Sequence, residues 1–303
     1  MTLKDGIQSI LDEYNIDAGV AIWHIESGEK SDVNGDVPFP MASTFKIPII
    51  ATAARQIKSG QLNLDTRITL KDEDKSPGSG ILPFFEAGVN PTVRDLLTLM
   101  IIISDNTATD MTVDLLGGAS VIESYMHELG LTDIFFKMNC KDLIRELFPP
   151  DVQEMSPEEI AIWSETNDIL RDGLCFSRES DNNVSSANHM NELLRMIFES
   201  EIVEGELREE VLNIMFKQQF NVRVSRFFPP NTKFAHKTGT IGGIRNDSGI
   251  LFLNDENHVI ITLFTEWDEA AVRFDSVANY QRIFEVETAM GKIGRLAYDH
   301  YST

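Results

Sequence analysis

Three short clusters in the sequence carry groups that could move an acyl group. They are Ser43-Thr44-Phe45-Lys46, Ser104-Asp105-Asn106 and Lys237-Thr238-Gly239. A serine hydroxyl is a weak nucleophile at neutral pH and needs a neighbour to take its proton. A lysine three residues further along a helix lies one turn on, on the same face and within reach. Lys46 can take that proton only if burial or a second cation lowers its pKa, and Lys237 would be that cation. Ser104 offers a hydroxyl that could relay a proton to a leaving nitrogen. The Asn106 amide could bind an amide carbonyl, and Lys237 with Thr238 suits a carboxylate. Each cluster alone also has a plain structural reading: a surface lysine, a helix cap, or a glycine-rich hairpin with an incidental lysine.

The flanking sequence predicts the elements that hold these groups. Phe45, Ile49, Ile50, Ala53, Ala54 and Ile57 recur at helical spacing behind Ser43 and Thr44, which are good N-cap types. Helix-terminal N–H groups there favour the negative charge of acyl attack. Pro48 falls in the early turns, where a missing N–H costs little. The apolar run Leu96–Ile103, preceded by the capping-box pair Thr92 and Asp95, reads as a buried helix that delivers Ser104-Asp105-Asn106 to a site. Asp105 can cap the next helix while its neighbours face a substrate. Gly239, Gly242 and Gly243 allow the close backbone approach of an edge strand beside a ligand.

A helix over 3–14, strands near 18–25, 247–253 and 258–266, and a helix near 278–298 bring both chain ends into one α/β unit. The middle of the chain is predicted to be mostly helical. The run Val259–Phe264 is nearly all apolar, as in a strand covered on both faces. With 303 residues and 42% hydrophobic content, the chain can bury a sizeable core. No internal repeat, low-complexity tract or long linker interrupts it. The net charge of −22 argues against nucleic acid and anionic membranes as partners. Cys140 and Cys175 could pair only if folded close together. The six histidines lack metal-ligand spacing, so neither a metal nor a cofactor is implied. Met1–Gly6 leads into a helix without an apolar signal region, and no run is long enough to span a bilayer. Taken as the natural start, this gives a cytoplasmic protein as the expectation, with export possible for a trimmed chain.

The three clusters in this order resemble the class A β-lactamase and penicillin-binding serine hydrolase superfamily. The similarity extends to Gly19-Val20-Ala21-Ile22 before Glu26-Ser27-Gly28-Glu29, and to Arg245-Asn246-Asp247 after the lysine motif, covering roughly 3–137 and 184–301. It implies an α/β (α+β) fold, an antiparallel sheet flanked by helices from both ends, plus an all-helical lobe. The lobes of this single domain would be 1–38 with 215–303, and 39–214. It implies a small-molecule amide or β-lactam substrate and an acyl-enzyme on Ser43, with Lys46 as proton acceptor and Ser104 as relay. Asn106, Lys237 and Thr238 would bind substrate, and the N–H groups of Ser43 and Thr240 would form an oxyanion hole. Arg245 would pair with a substrate carboxylate.

One departure bears on turnover. Class A β-lactamases carry, roughly 35 residues after the serine-aspartate-asparagine motif, a glutamate that activates the deacylating water, with an asparagine four residues later. The corresponding stretch here, Phe136-Lys137-Met138-Asn139-Cys140, has no carboxylate. In the divergent segment 138–183, Glu179, four before Asn183, resembles the pattern, and Asp142, Glu165 and Asp168 are candidates by location. Three readings stay open: a β-lactam-opening hydrolase, a related amidase, esterase or peptidase, and a penicillin-binding protein without turnover.

Overall fold

The computed structural model describes residues 2–155, 157–170, 173–267, 272 and 275–302. The chain opens with helix α1 (Leu3–Tyr14), held at its start by a capping box in which Thr2 and Asp5 bond each other's backbone N–H. Strands β1 (Asp17–His24), β2 (Lys30–Val33) and β3 (Pro38–Pro40) follow. A mostly helical stretch comes next: α2 (Lys46–Lys58), α3 (Val93–Ile102), α4 (Asn106–Leu116), α5 (Ala119–Glu128), α6 (Cys140–Arg145) and α7 (Pro157–Ser164). The short strand β4 (Val184–Ser186) pairs with β3, and α8 (Ala187–Phe198) and α9 (Gly205–Phe216) follow. The chain closes with β5 (Lys233–Ile241), β6 (Ile244–Asn254), β7 (Asn257–Glu266) and α10 (Ser276–Tyr301).

The main sheet is antiparallel with strand order β2-β1-β7-β6-β5. Central β7 explains its own sequence. Val259, Ile261 and Leu263 face a core shared with α1 and α10, while Ile260 and Phe264 join the larger core behind α2, α3 and α8. Side chains alternate across a strand, so a strand covered on both faces is apolar at nearly every position, with Thr262 the buried exception in this run. β5 is an edge strand, and its hairpin to β6 turns through Gly242-Gly243, with Gly242 at φ +45°. Cys140 and Cys175 are both buried thiols and are not joined in a disulfide. Among the described residues, no helix is long and apolar enough to cross a membrane.

Candidate active site

Ser43 lies in a 3-10 turn, Ala42–Phe45, that runs directly into α2. The N-cap role expected of Ser43 and Thr44 is not what the structure shows. The Thr44 hydroxyl donates back to Met41 O at 2.6 Å, and the turn itself carries the chain into the helix. Ser43 is thereby left lining an open cavity of about 530 Å³. The backbone before it is held from behind, because Asn246 Nδ2 donates to Pro40 O at 2.9 Å and to Met41 O at 3.0 Å. Ala42, at φ +43°, has the left-handed conformation that costs a non-glycine residue roughly 1–2 kcal/mol. Gly239 fits closely against this turn. A Cβ there would lie 2.7 Å from Met41 O and 3.1 Å from Ser43 N, so only glycine lets the edge strand come alongside the serine.

Lys46 is fully buried, and its Nζ meets three acceptors. These are Ser104 O at 2.8 Å, Ser104 Oγ at 2.9 Å and Asn106 Oδ1 at 2.9 Å. Burial holds its pKa below the ordinary lysine value, against the opposing pull of nearby acidic groups. Ser104 sits at φ +60°, between the end of α3 and the cap of α4, and presents both its carbonyl and its hydroxyl to Lys46. Asp105 does the capping. Its buried carboxylate accepts from Ala108 N and from Ile81 N and Leu82 N, which draws the 78–82 loop onto the site. The Asn106 amide is oriented without ambiguity. Nδ2 donates to Pro77 O at 2.8 Å, a group that can only accept.

The opposite wall is β5. Thr238 and Thr240 line the cavity, and Lys237 is fully buried, donating to Thr238 O at 2.6 Å. Its pKa is pushed well below the ordinary lysine value, first by burial and then by the charges of Lys46 and Arg223. The structure does not bring Arg245 to this cavity. With only Gly242-Gly243 closing the hairpin, its guanidinium folds back onto Gly242 O and Ile244 O and lies over the Trp267 ring. The cavity arginine is Arg223, which the sequence reasoning missed. It reaches in from a loop, donates to Gly239 O at 2.7 Å, Asn246 O at 2.8 Å and the Thr240 hydroxyl, and has Glu287 Oε1 3.5 Å from its Nε. Its position in the sequence, distant from the lysine motif, gave no spacing signal.

The third wall comes from the divergent segment, and two buried polar residues fix it. Asn183 Oδ1 accepts from Lys137 N and Met138 N, and Asn183 Nδ2 donates to Met138 O. Asp110 accepts from Cys140 N at 2.7 Å, Lys141 N at 2.9 Å and Ser76 Oγ at 2.6 Å. Clamped this way, Cys140, Leu143, Ile144 and Leu147 face the cavity. Burial keeps the Cys140 thiol protonated by raising its pKa far above the usual range. Glu179, Asp142 and Glu165 are exposed, Asp168 is half-buried, and none of the four lines the cavity. Among the described residues, Glu287 is the one carboxylate in the cavity wall, and it stands beside Arg223.

The sequence and fold resemble those of known proteins. The chain is 25% identical over 272 residues to Beta-lactamase VEB-1 of Pseudomonas aeruginosa, covering 87% of this chain and 81% of that one. It is 23% identical over 309 residues to a beta-lactamase of Bacteroides uniformis, covering 98% and 90%. The crystal structure of a beta-lactamase from Sphaerobacter thermophilus superposes with a TM-score of 0.76 at 25% identity, covering 98% of this chain and 97% of that one. The structure of PBP-A shares the fold at the same TM-score of 0.76 and 22% identity, over 99% and 96%. Residues 2–301 match the family described as Beta-lactamase enzyme family, and the chain belongs to it.

Proposed function

We propose that this protein is a serine hydrolase of amide bonds that is acylated on Ser43, accepts β-lactams as acylating substrates and releases them slowly. The observation that carries the reading is Lys46, buried against Ser104 and Asn106 one turn from a cavity-facing serine. A lysine ammonium donating to three oxygens has no lone pair left for a proton. The neutral amine donates to two of these oxygens and keeps one lone pair, which takes a proton once the nitrogen turns from the third. Burial favours that neutral form. In the proposed reaction Ser43 Oγ attacks the carbonyl and its proton passes to Lys46. The oxyanion is held by the N–H groups of Ser43 and Thr240 at the edge strand. Ser104 then donates its proton to the leaving nitrogen and recovers one from Lys46, so the C–N bond breaks as an ester forms on Ser43. Lys237, Thr238 and Arg223 make the cationic end that attracts a substrate carboxylate, which a chain of net charge −22 needs locally.

Release of the ester needs a base that holds water against it. Cys140 is a neutral thiol, its neighbours on that wall are apolar, and Glu287 is engaged with Arg223. These observations support slow deacylation. They also favour, as a second reading, a penicillin-binding protein whose natural acceptor is not water. Incubation with benzylpenicillin followed by intact-mass measurement tests acylation. The wild type gains one adduct, and Ser43→Ala gains none. Loss of such a nucleophile typically removes several powers of ten in rate, so labelling that persists in Ser43→Ala would sink the assignment.

A further inference from the structure

One wall of the cavity is built for an apolar group. Cys140, Leu143, Ile144 and Leu147 recur at the i, i+3, i+4, i+7 spacing of one face of a helix and its following turn. Cys140 and Leu143 are buried members of the core and Leu147 packs against it, and all four residues also border the cavity. Asp110 and Asn183 fix the backbone before it, and the Phe148 ring packs edge-on to Trp163 behind it with centroids 6.0 Å apart, so the face is supported. Ile144 also adjoins the substrate-facing amide. A Cβ built on Gly78 would meet Asn106 Nδ2 at 2.7 Å and Ile144 Cδ1 at 2.9 Å, so the amide and the Ile144 methyl converge on one spot.

Two anchors set the direction of a bound substrate. Its carboxylate belongs at Arg223 and Lys237, and its acyl amide carbonyl at the second N–H of Asn106. The group beyond that carbonyl then runs along Ile144 and Leu147. We propose that the protein selects substrates whose acyl half carries an extended apolar chain, seated on Leu143, Ile144 and Leu147, with a free carboxylate on the other half. This rests on Ser43 being the acylated residue. An apolar wall in contact with a polar acyl group would leave both poorly matched, whereas each buried methylene favours association through the water it releases. Phe220 and Val222, both partly exposed on the cavity rim, lie on the Arg223 side and would cover the carboxylate-bearing half.

A graded series of penicillins tests this, made by acylating 6-aminopenicillanic acid with acetyl, butanoyl, hexanoyl and octanoyl groups. The readout is the second-order rate of adduct formation by intact mass, taken as the octanoyl-to-acetyl ratio within each protein. A variant of reduced fold quality is thus compared only with itself. The wild-type ratio should be about tenfold or more, from several partly buried methylenes. Ile144→Asn and Leu147→Asn should each bring it down toward one, while Phe220→Asn should leave it high. A flat or falling wild-type series overturns the proposal, as does a ratio that survives both wall variants or collapses only in Phe220→Asn. If no member of the series labels Ser43, the underlying reading fails and this one fails with it. If all label it at one rate, acylation stands and the apolar subsite alone is refuted.

Discussion

The two sides of the cavity are built from different kinds of residue by different kinds of element. On one side, the 3-10 turn before α2, the junction of α3 with α4 and the edge strand β5 converge on Ser43 with two buried lysines and Ser104. On the other, the 136–147 stretch presents a protonated thiol and three aliphatic side chains. On the proposed reading, the first side supplies the groups for breaking an amide and forming an ester. The second lacks a base for breaking the ester. If the proposed function holds, acylation depends on the first wall and the lifetime of the ester on the second, so substitutions on the two walls should affect different steps.

The largest expected effect comes from giving the second wall a base. Cys140→Glu should speed loss of a penicillin adduct by about 100-fold or more, the usual contribution of a positioned general base, while changing the rate of adduct formation far less. An unchanged adduct lifetime in a folded Cys140→Glu protein would show that a missing carboxylate is not what limits release. Smaller effects are expected at the cationic end. Arg223→Ala should weaken acylation by carboxylate-bearing substrates about 10- to 100-fold, the value of a charge-assisted hydrogen bond. Arg245→Ala should change it less than about threefold, because that side chain serves the hairpin. Equal losses in both variants would contradict the placement of the two arginines.

The pH dependence sharpens the first wall. Lys46 works as the neutral amine, so acylation should rise with pH and level off above its pKa, at a midpoint below the ordinary lysine value. Lys46 and Lys237 repel as cations, which helps hold the Lys237 pKa down, and such coupling is mutual. Lys237→Ala should then ease protonation of Lys46 and move the acid limb to higher pH. An unmoved limb would mean that burial alone sets the Lys46 value. The smallest effect belongs to Glu179, which is exposed and outside the cavity. Glu179→Gln should leave both steps within about twofold, and abolished release in that variant would mean the segment carries Glu179 into the site.

Local signals explain what could be read from the sequence. Thr92 with Asp95 and the nearly continuous apolar run Val259–Phe264 depend on neighbours within a few residues, and α3 and β7 formed as those signals predict. Ser43, Lys46, Ser104, Asn106, Lys237, Thr238 and Thr240 could be picked out because their three clusters keep a recognisable order; Ser43, Ser104, Asn106, Thr238 and Thr240 line one cavity, and Lys46 and Lys237 are buried beside them. Arg223 and Arg245 show the limit. Which arginine enters the cavity depends on the length of the β5–β6 turn and on how a distant loop docks against Gly239 O, and neither leaves a mark at the arginine itself. Asp110 was hidden for the same reason, and Asn183 stood out only through its spacing from Glu179, which the structure does not use at the cavity. Each is an ordinary polar residue until the backbone it clamps, at Cys140 and at Met138, is seen beside it.

The central claim is that this site forms an ester faster than it releases one. It is tested most directly by following the intact mass of the wild-type protein after mixing with benzylpenicillin. The expected result is rapid, near-complete conversion to a single Ser43 adduct that outlasts the free drug, matched by a burst of about one equivalent when nitrocefin is used. Consumption of many equivalents of penicillin with no adduct ever accumulating would contradict it.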